Sequence, residues 1–132
     1  MAADQSIAEI LHNIGISPKY KGYYYLLYVL ECVRANPEYL YSSSVLYAKA
    51  IQHFGVSRKS IERNIRFAIE RAWDNPTNPH ARKLFEVYAI DYAPTTREFI
   101  SIIIESICFR HFSSLHQFEN QESLPKMPSI GV

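Results

Sequence analysis

Apolar residues recur along this chain at three- and four-residue spacing, interrupted by short stretches rich in proline, asparagine or serine. Ile7, Ile10, Leu11 and Ile14 form the first such stripe, the spacing of one buried helix face. Ser6, with Glu9 three residues on, fits a capping box, and Gly15 supplies the left-handed position that ends a helix. Ser17-Pro18 is a turn. From about Lys21 to Ala35 the pattern is apolar nearly all round (Tyr23, Tyr24, Leu26, Leu27, Val29, Leu30, Val33), the mark of a central core helix. It stops before Asn36-Pro37, because proline disfavours a helical residue in front of it.

Ser42, Ser43 and Ser44 offer caps for a third helix, which ends at Phe54. Phe54-Gly55-Val56-Ser57 is a tight turn, and Ser57 caps a fourth helix running to about Asp74. Asn78-Pro79 starts a fifth over roughly 79–88, expected to bury Leu84, Phe85 and Tyr88. Thr95 and Glu98 form a second capping box for the last helix, whose faces are traced by Phe99, Ile102, Ile103, Ser106, Ile107 and Arg110. The β-branched run Ile100 to Ile104 leaves a strand as the alternative there, which the cap and the helical context disfavour. After Ser113 the chain is polar and contains Pro125, Pro128 and Gly131, so 113–132 is expected to be a flexible tail. The expected architecture is all-α: a six-helix bundle over residues 1–112, with a helix-turn-helix at about 44–74.

Bulk composition narrows the class. A chain of 132 residues suits one domain, and 48% apolar with 14% aromatic residues argues against disorder. The longest apolar run, from Tyr23 to Leu30, is far short of the roughly 20 residues a membrane span needs. The start of the chain lacks the basic and apolar blocks of a signal peptide, which makes a cytoplasmic location the expectation. Cys32 and Cys108, far apart in apolar helical surroundings, are expected to be buried thiols. No two of the five histidines pair at i, i+4 and no Cys-x-x-Cys exists, so no metal and no cofactor are expected. Glu86 and Asp91 give no convergent acid/base pair, and no nucleophile triad or phosphate loop is visible, so the chain does not look like an enzyme. Five tyrosines between Tyr20 and Tyr28 could stack on bases, but on a central helix they are expected to pack, with hydroxyls at the rim.

Charge changes the picture more. Residues 49–71 hold six Lys/Arg against two Glu, a net +4, leaving −3 for the rest of a chain whose total is +1. An ordinary solvated helix face would be the plain account of such a cluster. Stepping 100° per residue from Ile61 gathers Ile65, Ala68, Ile69 and Ala72 into one packing stripe. Lys59, Arg63, Arg66, Phe67 and Glu70 fall opposite, with Glu62 and Arg71 on the flanks. In a helix-turn-helix the start of the second helix enters the major groove, where Arg reaches guanine edges and Glu accepts from cytosine. Ser57, Arg58, Lys59 and Ser60 occupy that first turn, whose free N–H groups also favour phosphate. The candidate DNA-binding set is therefore Ser57, Arg58, Lys59, Ser60, Glu62, Arg63, Arg66 and Arg71.

The strings Lys21-Gly22-Tyr23 with Tyr25-Leu26, Val45-Leu46-Tyr47 and Phe54 carry a family resemblance. So do Ile61-Glu62-Arg63, Ile65-Arg66, Ala68-Ile69-Glu70, Ala72-Trp73 and, further on, Pro94-Thr95 with Glu98-Phe99-Ile100. From about Ile10 to Phe112 the chain resembles the C-terminal DNA-binding domains of the stage zero sporulation protein A family, response regulators of endospore-forming bacteria. The resemblance implies a six-helix bundle that binds promoter boxes in double-stranded DNA, often as head-to-tail copies, and contacts RNA polymerase. The family usually sets this domain behind a phosphoacceptor receiver; these 132 residues hold none, so phosphorylation control is not expected. Two positions depart from the family. Ser60 stands where the family usually has a guanine-reading Arg, and Phe67 replaces a His. DNA binding carries over on this reading, while the family's target sequence does not. The alternative is a non-enzymatic interaction module that keeps the fold, has lost box recognition, and acts through a paralogue or RNA polymerase.

Overall fold

Six α-helices and one 3₁₀ turn make up residues 6–116, the part of the chain that the computed structural model describes, and no strand occurs among them. The helices are α1 (Ile7–Asn13), α2 (Lys21–Ala35), α3 (Ser43–Phe54), α4 (Arg58–Trp73), α5 (Pro79–Val87) and α6 (Thr96–His116). The 3₁₀ turn, Pro37–Tyr41, joins α2 to α3 and has no counterpart in the sequence reading. Of the expected tail, 113–132, the first four residues belong to α6, which runs to His116, and the rest lie outside what is described, as does the side chain of Arg110.

Caps set most of the boundaries. Ser6 Oγ accepts from the Glu9 N–H at 3.0 Å, and Asn78 Oδ1 accepts from His80 and Ala81 at 2.9 and 3.0 Å. The box at the head of α6 is reciprocal: Glu98 N–H donates to Thr95 Oγ1 at 3.1 Å and Thr95 N–H to Glu98 Oε1 at 2.9 Å. That cap and the helix behind it dispose of the strand alternative for Ile100 to Ile104. Ser42 stands at the cap of α3 without a side-chain bond, its carbonyl accepting from the Val45 and Leu46 N–H groups, each at 3.0 Å. Gly55 closes α3 at φ +68°, a left-handed conformation costly to any residue with a Cβ, and so allows the sharp turn into α4.

α2 is the central element, in contact with α1, the 3₁₀ turn, α3, α4 and α6. Its closest approach is to α4. A Cβ on Gly22 would overlap the Asn64 carbonyl oxygen and lie 2.9 Å from the Ala68 Cβ, so only glycine lets the two backbones meet there. The α4 stripe read from the sequence (Ile61, Ile65, Ala68, Ile69, Ala72) is buried throughout, and Phe99 and Ile103 of α6 complete the same core. Trp73 meets the Phe85 ring edge to face at 5.2 Å and fastens α5 to the end of α4.

Three packing expectations need correction. Tyr25 is buried whereas Tyr24 is 48% exposed, so α2 does have a solvent side. On α5 the buried pair is Ala81 and Phe85, spaced i, i+4, while Leu84 and Tyr88 are half-buried beside them. Cys32 is half-buried, but Cys108 is exposed: both thiols are free, and Cys108 falls on the opposite side of α6 from Phe99 and Ile103. No helix among the described residues is long and apolar enough to cross a membrane.

Candidate nucleic-acid interface

α3, the Gly55 turn and α4 form the helix-turn-helix, with the buried stripe of α4 fixing which of its sides faces outward. Ser57 is the N-cap of α4, its Oγ accepting from the Ser60 N–H at 3.1 Å. Ser60 is half-buried, and its carbonyl takes a hydrogen bond from Asn64 Nδ2 at 2.8 Å. These two serines shape the start of the helix, and the short Ser60 side chain does not match the reach of an arginine.

The six basic side chains of the hairpin divide into two groups. Arg58 Nε donates to Glu62 Oε2 at 2.7 Å, and its guanidinium lies over the Tyr47 ring of α3 at 4.5 Å. Arg66 NH1 donates to the Pro94 carbonyl at 2.8 Å, while its Nε reaches Glu70 Oε2 at 3.2 Å. Arg71 sits over the rings of Tyr20 and Phe67 at 5.7 and 5.8 Å, and Lys49 over Tyr39 at 5.6 Å. Lys59 and Arg63 differ: among the described residues, neither has a hydrogen bond, ion pair or ring contact. They are exposed, one turn apart, on the outward side of the first half of α4.

The helical wheel placed Arg66 outward with Lys59 and Arg63, and in the structure its guanidinium ties α4 to the turn before α6. The wheel places a side chain by angle alone, and at its angle the next neighbour is the buried Pro94. Arg58 and Arg71 likewise fold onto aromatic faces, where the ring quadrupole attracts the cation. Phe67 is 46% exposed and meets Tyr20 edge to face at 5.6 Å, so it belongs to this lateral cluster.

Between the hairpin and the start of α6 lies an open depression of about 420 Å³, lined by Tyr47, Lys59, Glu62, Arg63, Arg66 and Thr96. Burial pushes the Tyr47 phenol above its ordinary value of 10.0 and the neighbouring Glu62 carboxylate adds to this; Arg58 and a side-chain hydrogen bond with Thr96 act the other way. Tyr47 and Thr96 were not singled out as site residues by the sequence. Tyr47 is 11 positions from Arg58, and only the crossing of α3 on α4 brings them together. The tyrosine-rich α2 does pack: Tyr23 and Tyr25 are buried, and Tyr28 stacks on His53 of α3 at 4.3 Å. Elsewhere, a mainly apolar hollow of about 480 Å³ between α1, α5 and α6 shares no residue with the outward side of α4. No group of three His, Cys, Asp or Glu able to hold a metal ion occurs among the described residues.

The family model described as "Sporulation initiation factor Spo0A C terminal" matches residues 7–107, from the first residue of α1 through the helix-turn-helix to the buried Ile107 of α6.

Proposed function

The chain belongs to the sporulation initiation factor Spo0A C-terminal family, and from that premise we propose that it is a sequence-specific DNA-binding transcription regulator that reads the major groove with the first half of α4. Membership carries the coarse function, a DNA-binding effector domain of a sporulation regulator. The observation that supports the finer reading is the unpartnered pair Lys59 and Arg63, exposed together where a recognition helix meets DNA. Unpartnered cations bind phosphate or base edges without first breaking an internal bond. Arg63, with its planar fork, suits guanine O6 and N7, and Glu62 beside it suits the cytosine N4 amine. Lys59, a compact charge in the first turn, suits a phosphate, helped by the positive end of the helix. Ser57 and Ser60 shape this turn, and Arg66 and Arg71 brace the helix from its sides. On the same reading a second copy binds head to tail on the DNA and RNA polymerase is a partner.

Selection of bound duplexes from a random library, followed by fluorescence anisotropy, tests the assignment. Arg63→Ala should cost about 1–3 kcal/mol on the selected duplex and relax one base position. Lys59→Ala should weaken all sequences alike and reduce the log–log salt slope by roughly one unit. A Lys59→Ala/Arg63→Ala protein that keeps its circular dichroism and binds as wild type would overturn the reading, leaving the interaction module.

A further inference from the structure

Arg58 stands at the first position of α4, two residues before Ser60, and its exposed side chain is engaged rather than free. It bridges two groups. Its Nε holds Glu62 Oε2 at 2.7 Å, and the flat of its guanidinium lies 4.5 Å from the centre of the Tyr47 ring. Tyr47, on α3, is itself half-buried and lines one depression with Thr96 at the head of α6. Arg58 therefore links α3 to a carboxylate on α4. Glu62 Oε1 is left without a protein partner among the described residues, and Glu62 lines the same depression as Lys59 and Arg63.

We propose that Arg58 is a positioning residue for DNA recognition, holding one oxygen of Glu62 so that the other is presented to a cytosine N4 amine. The inference rests on the DNA-binding reading above and deepens it. A glutamate on a helix surface samples many rotamers, and freezing one of them on binding costs affinity. The Arg58 guanidinium, holding the carboxylate through Nε and itself seated on an aromatic face, fixes that rotamer beforehand. At 46% exposure for both side chains, the ion pair adds little to stability. Its consequence lies in selectivity.

The test compares relative affinities for the selected duplex and for its variants with each cytosine replaced in turn, using wild type, Arg58→Ala, Arg58→Lys and Glu62→Gln. Wild type should prefer cytosine at one position by about 5- to 100-fold. Glu62→Gln should abolish that preference. Arg58→Ala should cut it at least about fivefold while leaving the salt slope of binding to random DNA within about half a unit of wild type. Arg58→Lys keeps the charge but not the planar fork, and should lose the preference as well. If Arg58→Ala instead weakens every duplex alike and flattens the salt slope by roughly one unit, and Arg58→Lys restores both, Arg58 is a phosphate contact and the proposal is overturned. Should Glu62→Gln shift the preference while Arg58→Ala does not, the Arg58 proposal alone falls. Should Glu62→Gln leave every position unchanged, the base-reading role of Glu62 falls and takes the Arg58 role with it. Unchanged melting temperatures, expected for such exposed sites, keep all four proteins comparable.

Discussion

The two faces of α4 follow different rules. On the inner face Ile61, Ile65, Ala68, Ile69 and Ala72 are all buried, in the order that their spacing dictates. Burial is a sum over many contacts, and whatever helix lies opposite, an isoleucine on that stripe leaves water. On the outer face a similar spacing groups Lys59, Arg63 and Arg66, yet Arg66 is bound to Pro94 while the other two are free. A long polar side chain is decided by the one partner within its reach, and that partner comes from another part of the chain. Periodicity thus identifies what is buried and is silent on which charges remain available.

Substitutions on each face sharpen the contrast. The largest effect should come from the inner face. Ile65→Ala removes a fully buried side chain and should cost about 2–5 kcal/mol in urea unfolding, by lost transfer energy plus a cavity. A loss below about 1 kcal/mol would mean that the α2–α4 core collapses around the gap. Next comes Gly22→Ala, which puts a methyl group against the Asn64 carbonyl. The gain in helix propensity is only about 1 kcal/mol. The overlap should outweigh it, destabilising by about 1–3 kcal/mol net, and a more stable variant would show that α2 and α4 separate easily.

On the outer face the two kinds of arginine should behave in opposite ways. Arg63→Ala should leave unfolding within about 0.5 kcal/mol of wild type, as an exposed residue without partners should, while costing affinity for DNA. Arg66→Ala should do the reverse. Losing the Pro94 bond should cost about 1 kcal/mol of stability, discounted for the partial exposure of the side chain, and the salt slope of DNA binding should not change. A slope one unit shallower in Arg66→Ala would make this residue a phosphate contact.

Much of this molecule was legible beforehand because its boundaries are chemical. Ser6, Ser57, Asn78 and Thr95 sit where their side chains can satisfy the open N–H groups of a helix, and each does so. The 3₁₀ turn at Pro37–Tyr41 was missed because five residues between a helix and a cap carry no periodicity. The +4 charge of the hairpin was legible as a sum. Its division was not, since the Tyr47–Arg58 and Arg66–Pro94 contacts span 11 and 28 positions and exist only once α3, α4 and α6 have packed. Gly22 was visible as part of a family string, but its reason, the contact with Asn64, lies 42 residues away.

On the reading proposed above, the first half of α4 meets DNA through Lys59 and Arg63. The most direct test is amide and side-chain NMR of the full chain, titrated with a duplex taken from the selection. The largest shifts should fall on Ser57 to Arg63 and on the Arg63 guanidinium, with small changes at the Arg66 guanidinium and none in the α1–α5–α6 hollow. Shifts concentrated in that hollow, with Ser57 to Arg63 unmoved at saturating duplex, would contradict the account.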